Sequence, residues 1–362
     1  MNSLRPEPIL SHASRRRIII LLSAALTLLA IDLSVRHARP ILNRYRINEY
    51  QQRPAALAAA SPAPDIILLG SSRARYALVP HVFKSVTGQV AYNCAISGSK
   101  VVEWLTIARQ AFAEHTPHVV VLGLNASELR ADYCPAEAAR NLFDWLDLIE
   151  SCRTDGIHLE VIGGYLHSTI APIWTLLDQR YALRMWGQEE LAEFLPKQAR
   201  QSRELRDRVA RPMPSDGYYH PWSDGRRLQN LEVKLLRNVA DVEAATPPEF
   251  SADSPTFSRL AQLLDWFAER NIRVAVAYLP NSPRTEARWK TIEPQMIARI
   301  SEICRGCGAE FIPCEESRSN ADFMEEIHMG LPLATRISRH IADRIVQRRL
   351  LPTEILAGRQ PD

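Results

Sequence analysis

Residues 65–75 read Asp-Ile-Ile-Leu-Leu-Gly-Ser-Ser-Arg-Ala-Arg, and we expect the rest of the chain to be organised around this segment. Its four aliphatic residues run into Gly70 without a polar break, which is typical of a strand buried on both faces in a parallel sheet. Ser71 and Ser72 follow directly, before a downstream helix signal. A serine at such a turn exposes its hydroxyl at the carboxyl edge of the sheet. The same letters also fit a plain loop in which a serine caps a helix.

Similar apolar runs recur along the chain, with amphipathic helical stretches between them. The further predicted strands are 89–95, 119–122, 272–279 and 310–312. Strands that alternate with helices through short links indicate right-handed βαβ units. We therefore predict an α/β fold, a three-layer α/β/α sandwich around a five-stranded, parallel, flavodoxin-like sheet.

The strand–helix rhythm stops between the third and fourth strands. Residues 126–250 contain helical segments at 137–150 and 187–210 and an aromatic loop at 216–222. This pattern predicts an α-rich insertion. The α/β domain would then comprise 65–125 and 251–350, with a tail at 351–362.

The amino terminus carries an apolar segment, Ile18–Val35, directly after three arginines. A transmembrane helix needs about 17–25 residues, so this segment is short and requires Asp32 near the membrane interface. A cleaved signal peptide would need an Ala-x-Ala site after the apolar segment, and the sequence has no good one there. A buried soluble helix that is apolar on all sides would be unusual at a terminus. We predict a single-pass anchor at 18–35, a short cytoplasmic segment at 1–17 and a linker at 36–64.

The positive charges beside the anchor give little indication of which side of the membrane the rest of the chain occupies, because arginines stand on both sides of the anchor. Only a short segment precedes the anchor, so we expect the body outside the cytoplasm. The 44 basic and 41 acidic residues leave a formal net charge of +3, and no basic block interleaves with aromatics. This balance argues against nucleic acid as a partner.

The six cysteines leave two interpretations open. In an exported protein, Cys134 and Cys152, or members of the late cluster at 304–314, can form disulfides. In the cytosol, Cys304-x-x-Cys307 would suggest a redox or metal site. A zinc site needs a second close pair of ligands, which the sequence lacks, so we expect no metal and no cofactor.

Residues suited to acyl transfer follow several predicted strands. If the sheet is parallel, Ser71, Ser72, Gly98, Asn125 and His328 gather at its carboxyl edge. Acyl transfer needs a nucleophilic hydroxyl, a base that accepts its proton and donors that bind the oxyanion. A nucleotide-binding flavodoxin-like domain is the weaker alternative, because Gly70 stands alone where a phosphate cradle needs several glycines.

Four blocks of this sequence, in this order, resemble those of the SGNH (GDSL-type) esterase and acyltransferase superfamily. They are Gly70-Ser71-Ser72, Gly98, Gly123-Leu124-Asn125 and Glu325-Glu326-Ile327-His328. The resemblance covers about 65–125 and 255–348. It is nearest to membrane-anchored bacterial members that modify surface polymers, such as alginate O-acetylation proteins and the D-alanine transfer protein of teichoic acids. Ser71 stands where the family has Asp, and Arg73 where it has Leu.

The resemblance implies roles for individual residues. Ser72 matches the nucleophile and His328 the general base. The oxyanion hole would comprise the N–H groups of Ser72 and Gly98 and the side chain of Asn125. Glu325 matches the acid that orients the histidine, with Asp322 and Glu326 as substitutes. Apart from the resemblance, we name three further candidates for contacts with the substrate: Arg73, Tyr218 and Trp222.

The resemblance also implies a function and a location. We expect a membrane-anchored extracytoplasmic serine esterase or O-acyltransferase that acts on a cell-envelope or exopolysaccharide glycan. It would sit in the bacterial inner membrane with its amino terminus in the cytoplasm and its catalytic domain in the periplasm. Its partners would be the membrane, the glycan or its acyl donor, and a membrane-bound acyltransferase. The alternative is a catalytically inactive SGNH-fold protein that binds glycan or serves as an envelope scaffold.

Overall fold

The structure is a computed structural model. It describes residues 12–43, 49–113, 115–129, 139, 143–154, 157–170, 175–209, 214–218, 251, 254–324 and 327–352.

The centre of the fold is a five-stranded sheet in which every strand pairing is parallel. The strand order is β2-β1-β3-β4-β5, which is the flavodoxin-like order. This confirms the predicted sheet. The strands are β1 (Ile66–Gly70), β2 (Ala91–Asn93), β3 (Val119–Leu124), β4 (Arg273–Tyr278) and β5 (Glu310–Pro313).

Helices cover both faces of this sheet. One core cluster joins Ile67 and Leu69 of β1 to α2 (Glu49–Ala58), α5 (Val101–Ala111), α10 (Pro255–Ala268) and α12 (Glu293–Gly306). The other joins Ile66 and Leu68 to α3 (Ser72–Ala77), α4 (Pro80–Thr87) and α13 (Leu331–Gln347). All four aliphatic residues of β1 are fully buried, because alternate side chains enter opposite cores. This explains the unbroken aliphatic run and confirms the three-layer sandwich.

The remaining helices lie near the amino terminus, after β3 and after β4. They are α1 (His12–Leu42), α6 (Trp145–Thr154), α7 (Leu159–Ile170), α8 (Thr175–Glu190), α9 (Pro196–Val209) and α11 (Pro283–Trp289). Short 3₁₀ turns span Ala126–Leu129 and Asn320–Asp322. The α-rich character of the predicted insertion is therefore present in the described part of 126–250.

The chain divides into two compact units. The larger comprises Asn48–Leu166 and Pro212–Asp362 and contains the sheet, and the smaller comprises Met1–Ile47 and His167–Arg211. The predicted insertion thus contributes to both units. The predicted linker, 36–64, contains the end of α1 and all of α2. The proposed boundaries remain predictions.

Within the smaller unit, α1 extends well beyond the predicted anchor, 18–35. Residues Arg16–Leu42 of this helix are long and apolar enough to cross a bilayer, by length and composition. Asp32 is only 5% exposed and pairs with Arg36 one turn later at 3.2 Å. Val35 and Leu42 pack against Ala182 and Met185 of α8.

Five of the six cysteines lie in the described part of the chain, and each carries a free thiol. Burial raises the pKa of the Cys94, Cys304 and Cys314 thiols to about 12. Cys134 lies outside the described residues. Within the described residues no three His, Cys, Asp or Glu side chains are grouped to hold a metal ion.

Candidate active site

Two neighbouring glycines let the start of α3 approach the sheet edge closely. Gly70 at the end of β1 lies beside Gly123 on β3 and has a φ of +149°. A Cβ atom on Gly70 would overlap the Gly123 carbonyl oxygen and lie 2.5 Å from the Cβ of Ala74. A Cβ atom on Gly123 would lie 2.8 Å from the same Ala74 atom. Any larger residue would push α3, and Ser72 at its first position, away from the strand end.

The structure brings Ser72 and His328 into direct contact. His328 Nε2 lies 2.8 Å from Ser72 Oγ, although the two residues are 256 positions apart. The His328 side chain is only 2% exposed, whereas Ser72 is half-buried. The distance is short enough for the imidazole to accept the hydroxyl proton directly. This pair has the geometry of a nucleophile and its general base.

A small loop before α13 holds His328 in place. An isolated antiparallel bridge pairs Phe323 with Met329, and the Met324 N–H donates to the His328 carbonyl at 2.8 Å. The ring of His328 meets the ring of Tyr76 edge-on, with centroids 5.0 Å apart. Tyr76 lies on α3, so the helix that carries Ser72 also supports the imidazole.

The acid that would orient His328 remains a prediction. Glu325 and Glu326 lie outside the described residues. Asp322 accepts hydrogen bonds from the Ser319 N–H at 2.7 Å and from its hydroxyl at 2.9 Å. These bonds lower the pKa of the Asp322 carboxyl and use it to cap a 3₁₀ turn. Because the Asp322 carboxylate already accepts these hydrogen bonds, Glu325 and Glu326 are the better candidates for the acid that orients His328.

The Gly98 turn is anchored to the strand end that leads to Ser72. The Gly70 carbonyl accepts hydrogen bonds from the Ile96 N–H at 2.9 Å and from the Ser99 hydroxyl at 3.2 Å. Gly98 is exposed and has a φ of +80°, in the left-handed region that glycine tolerates. The turn therefore lies at the same sheet edge as Ser72.

Asn125 follows β3 directly and is completely buried. Its Nδ2 donates to the Leu279 carbonyl at 2.7 Å, and its Oδ1 accepts from the Ser127 N–H at 3.3 Å. Nδ2 carries two hydrogens, and the bond to Leu279 uses one of them. The amide is therefore held in a fixed orientation. A second N–H on Nδ2 is left for another acceptor.

Glu128, which the sequence analysis did not single out, lies between the Ser72 and Asn125 loops. Its carboxylate accepts from the Ser71 hydroxyl at 2.6 Å and from the Asn125 N–H at 2.7 Å. Asn125-Ala-Ser-Glu128 has the spacing of a capping box, in which the third residue of a turn reaches back to the cap N–H. That spacing was the available sequence signal for this residue.

Arg73, a predicted substrate contact, has its side chain inside the protein. It is 3% exposed, and its Nε lies 3.6 Å from the Glu128 carboxylate. Its Nη1 donates to Asn281 Oδ1 at 2.7 Å, and its guanidinium lies 5.9 Å from the centre of the Trp289 ring. The charged group is therefore engaged with internal partners.

The buried polar network continues beyond Arg73. Asn281 donates to Glu293 at 3.2 Å, and the Tyr278 hydroxyl donates to the same carboxylate at 2.8 Å. Burial raises the pKa of the Glu293 carboxyl, and burial together with the nearby Glu293 raises the pKa of Tyr278. The end of β4 is thereby tied to the start of α12.

Tyr218, another predicted substrate contact, packs against the core cluster beneath α3 and α13. Its hydroxyl donates to the Tyr76 carbonyl at 3.3 Å, and burial raises its pKa. These contacts fit an aromatic that packs a loop onto the body. Trp222, the third predicted contact, lies outside the described residues.

Glu49, at the start of α2, supports the turn that carries Gly98. The sequence analysis did not single out this residue. The Glu49 carboxylate accepts from the Ser97 N–H at 3.0 Å and from Arg75 on α3. Arg75 in turn donates to the Ser97 hydroxyl at 2.9 Å. One carboxylate thus links α3 to the turn that carries Gly98.

Comparison with known proteins adds one distant likeness. No protein-family model and no curated protein matches the chain. Among solved structures, it is similar to a protein of Bacteroides fragilis NCTC 9343 described as a "putative acylhydrolase". That likeness has a TM-score of 0.40 and 12% sequence identity, and it covers 84% of this chain and 100% of the other. A likeness this distant carries no inference about activity.

Proposed function

We propose that this protein is a membrane-anchored, extracytoplasmic serine esterase or O-acyltransferase of the SGNH type. The contact between Ser72 Oγ and His328 Nε2, at 2.8 Å, carries the proposal. The glycines at 70 and 123 favour it further, because they bring the first residue of α3 to the strand end.

In the proposed reaction, Ser72 Oγ attacks the carbonyl carbon of an acyl ester while His328 Nε2 takes the hydroxyl proton. The tetrahedral oxyanion is bound by the N–H groups of Ser72 and Gly98 and by the free N–H of Asn125. The leaving alcohol departs with the proton that His328 returns. Ser72 is then acylated.

The second half of the reaction repeats these steps with a new acceptor. His328 takes a proton from water or from a sugar hydroxyl, whose oxygen attacks the acyl group on Ser72. The ester bond to Ser72 breaks, and its oxygen recovers a proton from His328. Glu325 keeps the imidazole oriented and stabilises its charged form. Water as acceptor makes the protein an esterase, and a sugar makes it an O-acyltransferase.

The proposed substrate is an acyl ester of a cell-envelope or exopolysaccharide glycan. Helix α1 supports a membrane location, since Arg16–Leu42 has the length and composition of a membrane span. In this proposal the amino terminus faces the cytoplasm and the larger unit faces the periplasm of a bacterial cell. A membrane-bound acyltransferase would be the partner that supplies the acyl group.

Labelling with a fluorophosphonate, which forms a covalent bond with an activated serine, tests this function. We expect the wild type to be labelled and the Ser72→Ala variant to remain unlabelled. Ser85→Ala is the matched control, because the Ser85 hydroxyl donates to the Val82 carbonyl within α4. It should be labelled like the wild type.

The same experiment separates the enzyme from a glycan-binding or scaffold protein of the same fold. If the wild type is not labelled and does not release p-nitrophenol from p-nitrophenyl acetate, the catalytic proposal is wrong. Labelling that persists in Ser72→Ala would show that another residue reacts, and would also contradict it.

A further inference from the structure

We propose that Glu128 is a positioning residue that holds Ser72 and Asn125 in register for the reaction, an inference that rests on the proposed function. Its two carboxylate oxygens bind two different loops. Oε1 accepts from the Ser71 hydroxyl at 2.6 Å, and Oε2 accepts from the Asn125 N–H at 2.7 Å. The side chain is 1% exposed, so water does not compete for these bonds.

The Ser71 hydroxyl connects Glu128 to the first turn of α3. While it donates to Glu128, its oxygen accepts from the Arg73 N–H at 3.2 Å and caps the helix. Ser72 is the first residue of that helix. A shift of Ser71 therefore moves the nucleophile.

The other oxygen of Glu128 holds the residue that carries the proposed oxyanion donor. Asn125 follows β3, whereas Ser72 follows β1. The pairing of Gly70 with Gly123 fixes the two strand ends, and the short segments after them set the remaining distance between nucleophile and donor. A displacement of about 1 Å in such a site can reduce turnover by about 100-fold. Glu128 links the two loops directly.

Arg73 provides the positive charge that a buried carboxylate requires. Its Nε lies 3.6 Å from Glu128 Oε1, and its side chain is 3% exposed. Because both charges are shielded from water, removing one of them would take away a favourable interaction of the other and raise its free energy in the folded protein. The pair thus makes the link between the loops rigid.

A purely local role is the competing explanation, because Glu128 also completes the capping box of the 3₁₀ turn after Asn125. That role involves the Asn125 N–H alone. It predicts that cutting the bond to Ser71 leaves turnover unchanged. The positioning role predicts that it does not.

The first variant, Ser71→Ala, removes the hydroxyl that links the loops, together with the cap that this hydroxyl provides for α3. The Ser71→Asp variants described below keep a capping oxygen and so separate the two effects. Ser71→Ala leaves the contacts of Glu128 with Asn125 and Arg73 in place. We expect kcat on p-nitrophenyl acetate to fall at least about tenfold with KM within about threefold, because positioning acts on the transition state. A wild-type kcat would overturn the proposal.

A rescue test moves the carboxylate from position 128 to position 71, on the other side of the hydrogen bond between Ser71 and Glu128. Ser71→Asp alone puts a second carboxylate against Glu128, and like charges at this distance cannot both ionise. Glu128→Gln alone removes the negative charge that faces the Arg73 Nε. In the double variant, the new amide at position 128 can donate to the new carboxylate at position 71 and accept from the Asn125 N–H. That carboxylate still caps α3 and faces Arg73.

We expect each single variant to lose at least about tenfold in kcat and the double variant to recover to within about threefold of the wild type. If the losses of the two single changes simply multiply in the double variant, the proposal is wrong. Glu302→Gln is the control, since this exposed carboxylate pairs with Arg299 on the surface of α12. It should keep the wild-type kcat.

Fluorophosphonate labelling separates this inference from the proposed function. If the wild type is labelled at Ser72 and Ser71→Ala keeps its kcat, the function stands and the positioning role fails. If the wild type is neither labelled nor active, both fail.

Discussion

The side chain of Asn125 has structural hydrogen bonds and, in the proposed reaction, also donates to the oxyanion. Its bond to the Leu279 carbonyl and the bond that it accepts from Ser127 fix the plane of the amide. The N–H that remains on Nδ2 is the proposed oxyanion donor. An Ala at this position therefore removes a structural bond and a chemical one together.

We predict that Asn125→Ala lowers kcat by about 100- to 1000-fold, since loss of one oxyanion donor costs about 2.7–4 kcal/mol in the barrier. The Leu279 carbonyl also loses its donor, which should lower the free energy of unfolding by about 1–3 kcal/mol. Steady-state kinetics and urea unfolding measure the two effects. Asn320→Ala, at an exposed amide that accepts from the Arg284 N–H, is the control. A kcat of Asn125→Ala close to that of the control would contradict the role of Asn125.

At this scale the resemblance to the SGNH superfamily predicts Ser72 and His328 as a pair, and their positions after the first strand and before the last helix agree with a shared edge of the sheet. The sequence does not predict the environment of Arg73. An arginine after two serines is compatible with an exposed substrate contact. Its burial depends on Glu128 and on Asn281, which lies 208 positions away.

At the scale of elements, the approach of α3 to the sheet depends on two facing glycines. Ala74 on α3 occupies the space that a Cβ atom at Gly70 or Gly123 would need. The helix is short, six residues, and only Ser71 separates it from the strand. The strand end and the helix start therefore form one packed unit that carries Ser72.

We predict that Gly70→Ala destabilises the protein strongly. The φ of +149° contributes strain of about 1–3 kcal/mol, and the overlap with Gly123 and Ala74 adds about 1–3 kcal/mol of overpacking. Gly306→Ala, near the end of α12, meets nothing within 4 Å and should be neutral or stabilising by up to about 1 kcal/mol. Urea unfolding compares them. Equal free energies of unfolding for the two variants would contradict this packing.

The sequence predicts most elements of the sandwich, because apolar runs and helical stripes report directly which residues are buried. The predicted strand 89–95 is shorter in the structure, Ala91–Asn93, although hydrogen bonds to β1 continue to Ile96. Apolar residues recur at helical spacing from Trp289 to Ile303, which predicts one helix, but the structure has two helices there, α11 and α12. Periodicity alone cannot find that break, because both helices face the same core.

At the scale of the whole molecule, α1 is the element that would determine the location of the protein. Most of its apolar side chains are exposed, among them Leu26 at 65% and Leu29 at 55%. Exposed apolar residues over such a length are costly in water and favourable in a bilayer.

We predict that the full chain remains in carbonate-washed membranes, and that Leu26→Arg/Leu29→Arg shifts it to the soluble fraction. Each arginine near the middle of a membrane helix costs about 2.5–3.5 kcal/mol on insertion scales. Leu146→Arg/Leu159→Arg adds the same charge at exposed positions of α6 and α7 and should stay with the membranes. Release of the wild-type chain by carbonate would contradict the anchor.

The parallel sheet and its two helical layers follow from the sequence alone, because apolar runs and helical stripes mark the buried residues. The candidate residues Ser72, Gly98, Asn125 and His328 follow from their positions between predicted elements and from the resemblance to the SGNH superfamily. The contact between Ser72 and His328, the burial of Arg73 and the contacts of Glu128 with Ser71 and Arg73 are visible only in the tertiary structure. They join residues that are far apart in the chain, such as Ser71 and Glu128, 57 positions apart, and Ser72 and His328, 256 positions apart. Such contacts arise when the sheet closes, and no local pattern records which polar groups then meet.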